Sequence, residues 1–346
     1  MADEGELQIR SPGYNALTER FALFELERTL FHVHGDRAYR VVNGLVTNSF
    51  DQIEDGRGCY AFALTAKGRP IAEMRVLPAP AAPGSSEHLW IDAPVTAAPG
   101  LRDLFTRTVP PIFATVNEPA VRRLSIAGAG AMEALPAILD AAGVPTDSVP
   151  GPLEARTFLP EDGAVGAGLI VGREAIETPG VDIFVPEDLA GALLDRLAKA
   201  VLEAGGDIAT PEDWEVVRVE RGLPAYGAEI TIENLPQETG QTERAISFDK
   251  GCYTGQEVVA RLHYRGHVNR VLRGLCPLDP EAALSAEALL YRDGRKVGQI
   301  GTVVSSPRLG SLGLGYIRTA VEPGETVATG PDATPDVRVV ELPFTQ

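Results

Sequence analysis

Cysteine is scarce in this chain: 346 residues carry only Cys59, Cys252 and Cys276. An odd count with no C-x-x-C spacing argues against a disulfide framework and against a self-contained zinc or iron–sulfur ligand set. Long apolar runs are also missing, since none approaches the roughly 18 residues of a membrane helix. The opening Met1-Ala2-Asp3-Glu4 leads into no apolar signal segment, so a cytoplasmic address is expected. Basic charge is the third shortage: 31 Lys and Arg against 48 Asp and Glu give a net −17. Nucleic acid and anionic membranes demand clustered Lys and Arg, so neither is expected as a direct partner, and any anionic ligand must meet a local basic island.

What remains is an ordinary globular composition, 44% apolar and 23% charged, in a chain too long for one core, so two or three domains are expected. The apolar pattern predicts a helix over Tyr14–Glu27, a strand Thr29–His34 and a helix Arg37–Leu45. A second strand, glycine turn and helix over Leu124–Ala141 matches the first, with Gly35 over Gly128 and Ala38 over Ala131. This reads either as an internal duplication or as two ordinary strand–turn–helix units. Between them lie strands Cys59–Leu64, Pro70–Leu77 and His88–Asp92 and a helix Ala98–Thr108, and after a Pro-rich connector, Val144–Pro152, come a strand Val181–Val185 and a helix Glu187–Ala204. From about Val268 short apolar runs alternate with glycine turns, the texture of a small C-terminal β-barrel or sandwich. The class is α+β.

The densest chemistry lies in Lys250-Gly251-Cys252-Tyr253-Thr254-Gly255-Gln256-Glu257. Glycines permit tight turns and close ligand approach, and a nearby ammonium lowers a thiol's pKa, which makes Cys252 a candidate reactive thiolate. The same residues also fit a packed thiol beside a surface lysine. Downstream, Arg261, His263 and Arg265 alternate with Leu262 and Tyr264; on a strand they would share one face, either to receive an anion or as a solvated face balanced by acids.

The run Lys250–Glu257 followed by Val258-Val259-Ala260-Arg261 resembles the signature of the YgfZ-type folate-binding proteins, relatives of the aminomethyltransferases of glycine cleavage. The likeness extends to Val219-Glu220-Arg221-Gly222-Leu223-Pro224, Pro236-Gln237-Glu238, Arg265-Gly266 and Val297-Gly298, and more loosely to Thr47-Asn48 and Lys67-Gly68-Arg69. It implies two related α+β domains plus a small C-terminal β-barrel arranged as a three-domain ring around a central folate site. The division it suggests is 1–55 with 153–245, then 56–152, a motif segment 246–265, and the barrel 266–346. Tetrahydrofolate or a one-carbon derivative is the implied cofactor, and the iron–sulfur assembly machinery or its client enzymes are the implied protein partners. Cys252 and Lys250 would be the reactive pair. Glu220 would accept the pterin's paired N–H donors, with Arg261, Arg265, Tyr253, Gln256 and Asn48 completing the folate set. Two departures stand out. Ala72 falls where the aminomethyltransferases place an aspartate, with Glu73 able to substitute only by a shift of register, and Ser49 stands where relatives often have Asp. Three functions follow as expectations: an accessory factor for iron–sulfur assembly or repair with indirect effects on tRNA modification, an aminomethyltransferase, or a folate-binding or docking module without chemistry.

Overall fold

The computed structural model describes residues 11–50, 56–79, 86–145, 149–158 and 168–345. The extreme N-terminus and part of the Pro-rich connector therefore lie outside the described residues. The chain opens with α1 (Pro12–Glu19), whose first turn is fixed by Ser11 accepting from the Tyr14 amide at 3.0 Å and by a proline whose lost N–H costs nothing there. The helix stops well short of the expected Glu27. Phe21 and Leu23 pack toward one layer and Ala22 and Phe24 toward another, so the segment has period two and forms β1 (Ala22–Glu25).

The first half then runs β2 (Arg28–Gly35), α2 (Ala38–Asn43), β3 (Cys59–Leu64), β4 (Pro70–Pro78), β5 (Glu87–Pro94), α3 (Ala98–Thr108) and β6 (Thr115–Asn117). The second runs β7 (Val121–Ala127), α4 (Ala131–Ala141), β8 (Ala155–Phe158), β9 (Gly168–Gly172), β10 (Gly180–Pro186), α5 (Glu187–Glu203) and β11 (Asp207–Ile208). Their sheets have matching order: β3-β4-β5-β2-β6 in the first and β8-β9-β10-β7-β1-β11 in the second, with β1 wedged between β7 and β11. The duplication read from two short segments thus extends to the whole connectivity. Gly35 and Gly128 are its fixed points. Their φ angles are 147° and 150°, and a Cβ would stand 2.5 Å from the Phe113 carbonyl oxygen in one copy and 2.4 Å from that of Arg20 in the other, so only glycine fits.

The boundaries differ from those expected. Residues 28–43 belong with 59–117, and residues 121–141 belong with 155–208, because β1 and β2, only two residues apart, enter different sheets. The layers are helix, sheet, sheet, helix. One outer core holds Phe31, Val33, Met74 and Leu101 against α2 and α3; the other holds Ile126, Leu139, Ile183 and Leu197 against α4 and α5. Between the sheets lies a smaller apolar patch of Leu30, Leu77, Leu169, Val171 and Phe184. Beyond it, on the same inward face of the first sheet, the rings of His32, His34, His88 and Trp90 stack at 4.2–5.7 Å. His32 Nε2 lies 3.1 Å from His88 Nδ1, and among the described residues no group of ligands could hold a metal.

The chain continues through α6 (Pro211–Glu220), opened by a reciprocal Thr210–Asp213 cap, then α7 (Thr242–Ala245) and α8 (Gln256–Arg265). The barrel comprises β12 (Arg270–Pro277), β13 (Leu289–Arg292), β14 (Arg295–Ser306), β15 (Gly310–Arg318), β16 (Thr326–Val327) and β17 (Val337–Val340), ordered β13-β14-β15-β12-β17-β16. Tyr291 and Ala328 exchange backbone hydrogen bonds of 2.8 and 2.9 Å that close the ring. Leu275, Leu290, Ile300, Ile317 and Val339 fill its interior, so it is a packed core. Among the described residues no helix is long and apolar enough to cross a membrane.

Candidate functional site

Inward-facing positions of the two sheets are apolar at one end and charged at the centre. Glu73 and Arg75 on β4, Asp92 on β5, Arg123 and Ser125 on β7 and Asp182 on β10 are all buried. Burying charges this deeply is costly unless each is paired. Arg75 spans the sheets, donating to Asp92 and to Asp182 at 2.6 Å each. Arg28 takes the other side of Asp92 at 2.8 Å. Asp182 further accepts from Arg123 at 2.7 Å, Arg173 at 2.9 Å and Ser125 at 2.7 Å. Burial alone would raise both aspartates, but the surrounding guanidinium groups hold their carboxyls well below the usual range. Glu177 is likewise brought down to about 2 by Arg173 and Arg244 despite its burial.

This network forms the floor of a central cavity of about 230 Å³. Tyr60, Trp214 and Tyr226 contribute aromatic walls, and Glu73, Glu177, Arg218 and Arg244 contribute charge. The Arg244 guanidinium lies 3.8 Å from the Tyr60 ring centroid, and that of Arg173 lies 4.6 Å from that of Trp214. Tyr60 donates its phenol to Glu73; burial and that carboxylate hold the phenol well above its ordinary pKa, so it stays a donor. A wider groove of about 820 Å³ adjoins the cavity and shares Leu26, Glu27, Arg28 and Arg123 with it.

The Glu73 carboxylate, near the start of β4, lines the cavity. Ala72 is fully buried against the helices, on the opposite face of the strand, and alternation therefore turns Glu73 inward.

The residues expected from the sequence are placed differently. Glu220 lies two positions beyond Arg218 on α6 and so faces the opposite side of that helix. There it accepts from Tyr14 at 2.7 Å, from Ser306 and from Arg308 at 3.4 Å, beside a separate cavity of about 390 Å³. Burial and Glu220 push the Tyr14 phenol up to about 12. Lys250 donates to the carbonyls of Asn43, Val46 and Asn48 at 2.7, 2.7 and 2.8 Å, so its ammonium ties down one loop. Asn48 in turn donates to the carbonyls of Tyr60 and Arg244, both at 2.9 Å, and so braces two cavity residues from behind. Tyr253 is buried against Tyr60, Phe62 and Val259, and burial raises its phenol to about 12. Cys252 is exposed, Cys59 buried and Cys276 between; Cys252 is not among the residues lining the central cavity. The stretch 256–265 is helical, contrary to the strand reading. Arg261 and Arg265 share a face one turn apart, His263 turns elsewhere to stack on Phe248 at 3.7 Å, and Gln256 opens the helix half-exposed. Gly255, at φ 83°, lets the motif meet the β3–β4 hairpin, a Cβ there standing 2.6 Å from the Thr65 carbonyl oxygen.

The central arginines and aspartates were missed by the motif reading. Their signal is nonetheless in the sequence, as single charges set into apolar strands: Glu73 and Arg75 among Ile71, Met74 and Val76, Asp92 after Ile91, and Asp182 between Val181 and Ile183.

Comparison with known proteins is consistent with this architecture. Residues 270–346 match the glycine cleavage T-protein C-terminal barrel domain. A tRNA-modifying protein YgfZ of Serratia proteamaculans is 31% identical over 163 residues, 45% of this chain and 47% of the relative. A putative chloroplastic transferase of Arabidopsis thaliana is 37% identical over 186 residues, 52% of this chain and 39% of the relative. The chain thus spans less than half the length of either. The glycine cleavage aminomethyltransferase T of Bartonella henselae superposes with a TM-score of 0.79 at 18% identity, covering 96% of this chain and 88% of that one, a likeness of fold.

Proposed function

We propose that this chain, whose residues 270–346 match the glycine cleavage T-protein barrel and which is 31% identical to a YgfZ protein over 45% of its length, binds a reduced folate between its two sheets. In that capacity it serves as an accessory protein for assembly or repair of iron–sulfur enzymes, including those on which tRNA modification depends. The observation that carries the folate reading is the central cavity itself. Its 230 Å³ lies under the ~300 Å³ lower end of whole small-molecule sites, so it has room for a ring system and not a complete folate. Tyr60, Trp214 and Tyr226 line a space of pterin size, and Glu73 offers a carboxylate for the pterin's paired N–H donors. The adjoining groove would take the remainder of the molecule. The tRNA and iron–sulfur assignments rest on the likeness to proteins named as tRNA-modifying and on the motif around Cys252.

Glu73 also favours a second reading, one-carbon transfer of the aminomethyltransferase kind, since a carboxylate does face the cavity. Two experiments test the folate site and the accessory role. Calorimetry with 5-formyltetrahydrofolate should show binding that weakens about tenfold in Glu73→Gln, the loss expected for a charge-assisted pair. Complementation of a strain lacking its own homologue should fail for Cys252→Ser and succeed for wild type. Folded protein without folate affinity would defeat the folate reading, and full complementation by Cys252→Ser would defeat the accessory role of the motif.

A further inference from the structure

Arg123 is the guanidinium of the central network whose one carboxylate partner among the described residues is Asp182, whereas Arg75 and Arg173 each have two. It is 5% exposed and bonds Asp182 through one terminal nitrogen, while its buried Nε has no hydrogen-bond partner among the described residues. Asp182 cannot supply more: Arg75, Arg173 and Ser125 already share its two oxygens. Three guanidinium groups converge on Asp182, but Arg75 is shared with Asp92 and Arg173 with Glu177, so Arg123 is the least neutralised of the three, and in a dry interior an anion beside it is bound more strongly than in water. Arg123 also sits, with Arg28, on the wall shared by the narrow cavity and the wide groove. Burial, opposed by Asp182 and reinforced by Arg75, pushes Arg123 down to about 10, so it is still a cation at neutral pH.

From this geometry we infer that Arg123 is an anion subsite at the junction of the two cavities, which receives a carboxylate of the bound ligand. The inference rests on the folate reading only for the identity of that ligand. The carboxylate belongs either to the glutamate tail of a folate or to a separate small acid, and both would complete the hydrogen bonding that Asp182 leaves unmet.

The test compares wild type, Arg123→Gln and Arg123→Lys with three probes: 5-formyltetrahydrofolate, 6-methyltetrahydropterin, which lacks a carboxylate, and glutarate. Both variants should fold, because Asp182 keeps Arg75 and Arg173, and melting curves check this. The expected result is that Arg123→Gln loses about tenfold in affinity for a carboxylate probe, the weight of one charge-assisted pair, with 6-methyltetrahydropterin held within about twofold and Arg123→Lys intermediate. A loss for 5-formyltetrahydrofolate assigns the subsite to the tail; a loss confined to glutarate assigns it to a separate acid. Should wild type ignore both pterins yet bind glutarate through Arg123, the folate reading falls and the subsite stands. Affinity for both carboxylate probes unchanged in Arg123→Gln, or no binding of any probe by wild type, overturns the inference.

Discussion

Replacing Lys250 with methionine keeps the length and the apolar stem while removing an ammonium that holds three carbonyls at 2.7–2.8 Å. Hydrogen bonds to a charged group contribute about 1.5–3 kcal/mol each in isolation. The three are not additive, because they hold one short loop, and the half-buried site lets water recover part of the loss. A total destabilisation of about 2–4 kcal/mol is expected, a large fraction of the ~5–15 kcal/mol that a domain has. The loop is also the base for Asn48, so Lys250→Met should weaken 5-formyltetrahydrofolate binding through the Asn48 contacts with Tyr60 and Arg244. Urea unfolding gives the stability, and a double-mutant cycle with Asn48→Ala should show a coupling of at least ~0.5 kcal/mol, as for residues in one network. A variant within about 0.5 kcal/mol of wild type at equal m-value would refute the brace and return Lys250 to the role of a surface charge near Cys252.

Two other perturbations separate scaffold from site. Glu220→Gln should lower the melting temperature by weakening the tie from α6 to Tyr14 and the barrel, a cost of about 1–3 kcal/mol, and leave folate affinity within about twofold; the reverse pattern in calorimetry and thermal melts would make Glu220 a ligand residue. His32 is pushed down to about 4 by burial and by His34 and His88, so the fold favours its neutral form. Its contribution is then complete above about pH 6.5, the unfolded value, and is lost as pH falls toward 4. After discounting for a half-buried site this amounts to about 1–2 kcal/mol, and Leu or Phe at position 32 should flatten the stability curve between pH 6.5 and 4 by that much. Equal slopes in wild type and His32→Phe would contradict the assignment.

Most of the secondary structure was legible because it is written in local periodicity: Cys59–Leu64 and Ala98–Thr108 lie where the pattern places them. The errors have local causes too. Leu23 and Phe24 point to opposite layers that are both apolar, so the alternation that marks a half-exposed strand is absent and the stretch reads as more helix. The strand expected at Arg261–Arg265 rested on alternating charge, but all of those charged residues are exposed, and on an exposed helix such a pattern carries no information about period. The site was harder. A motif identifies Lys250 and Asn48, yet only the fold shows that they work from behind the wall, and no spacing rule links Arg75 to an aspartate 107 residues away.

The insertion of β1 between β7 and β11 has a consequence for the order of events during synthesis. All strands of the first sheet lie between residues 28 and 117, so that sheet can close from contiguous chain. β1 precedes it, yet Leu23 pairs only with Ile126 and Ile208. The apolar faces of α1 and β1, including Leu17, Leu23 and Phe24, must therefore wait exposed until the second half has emerged, a contact of long sequence separation that slows closure and leaves the N-terminal segment as the portion of the nascent chain most in need of shielding.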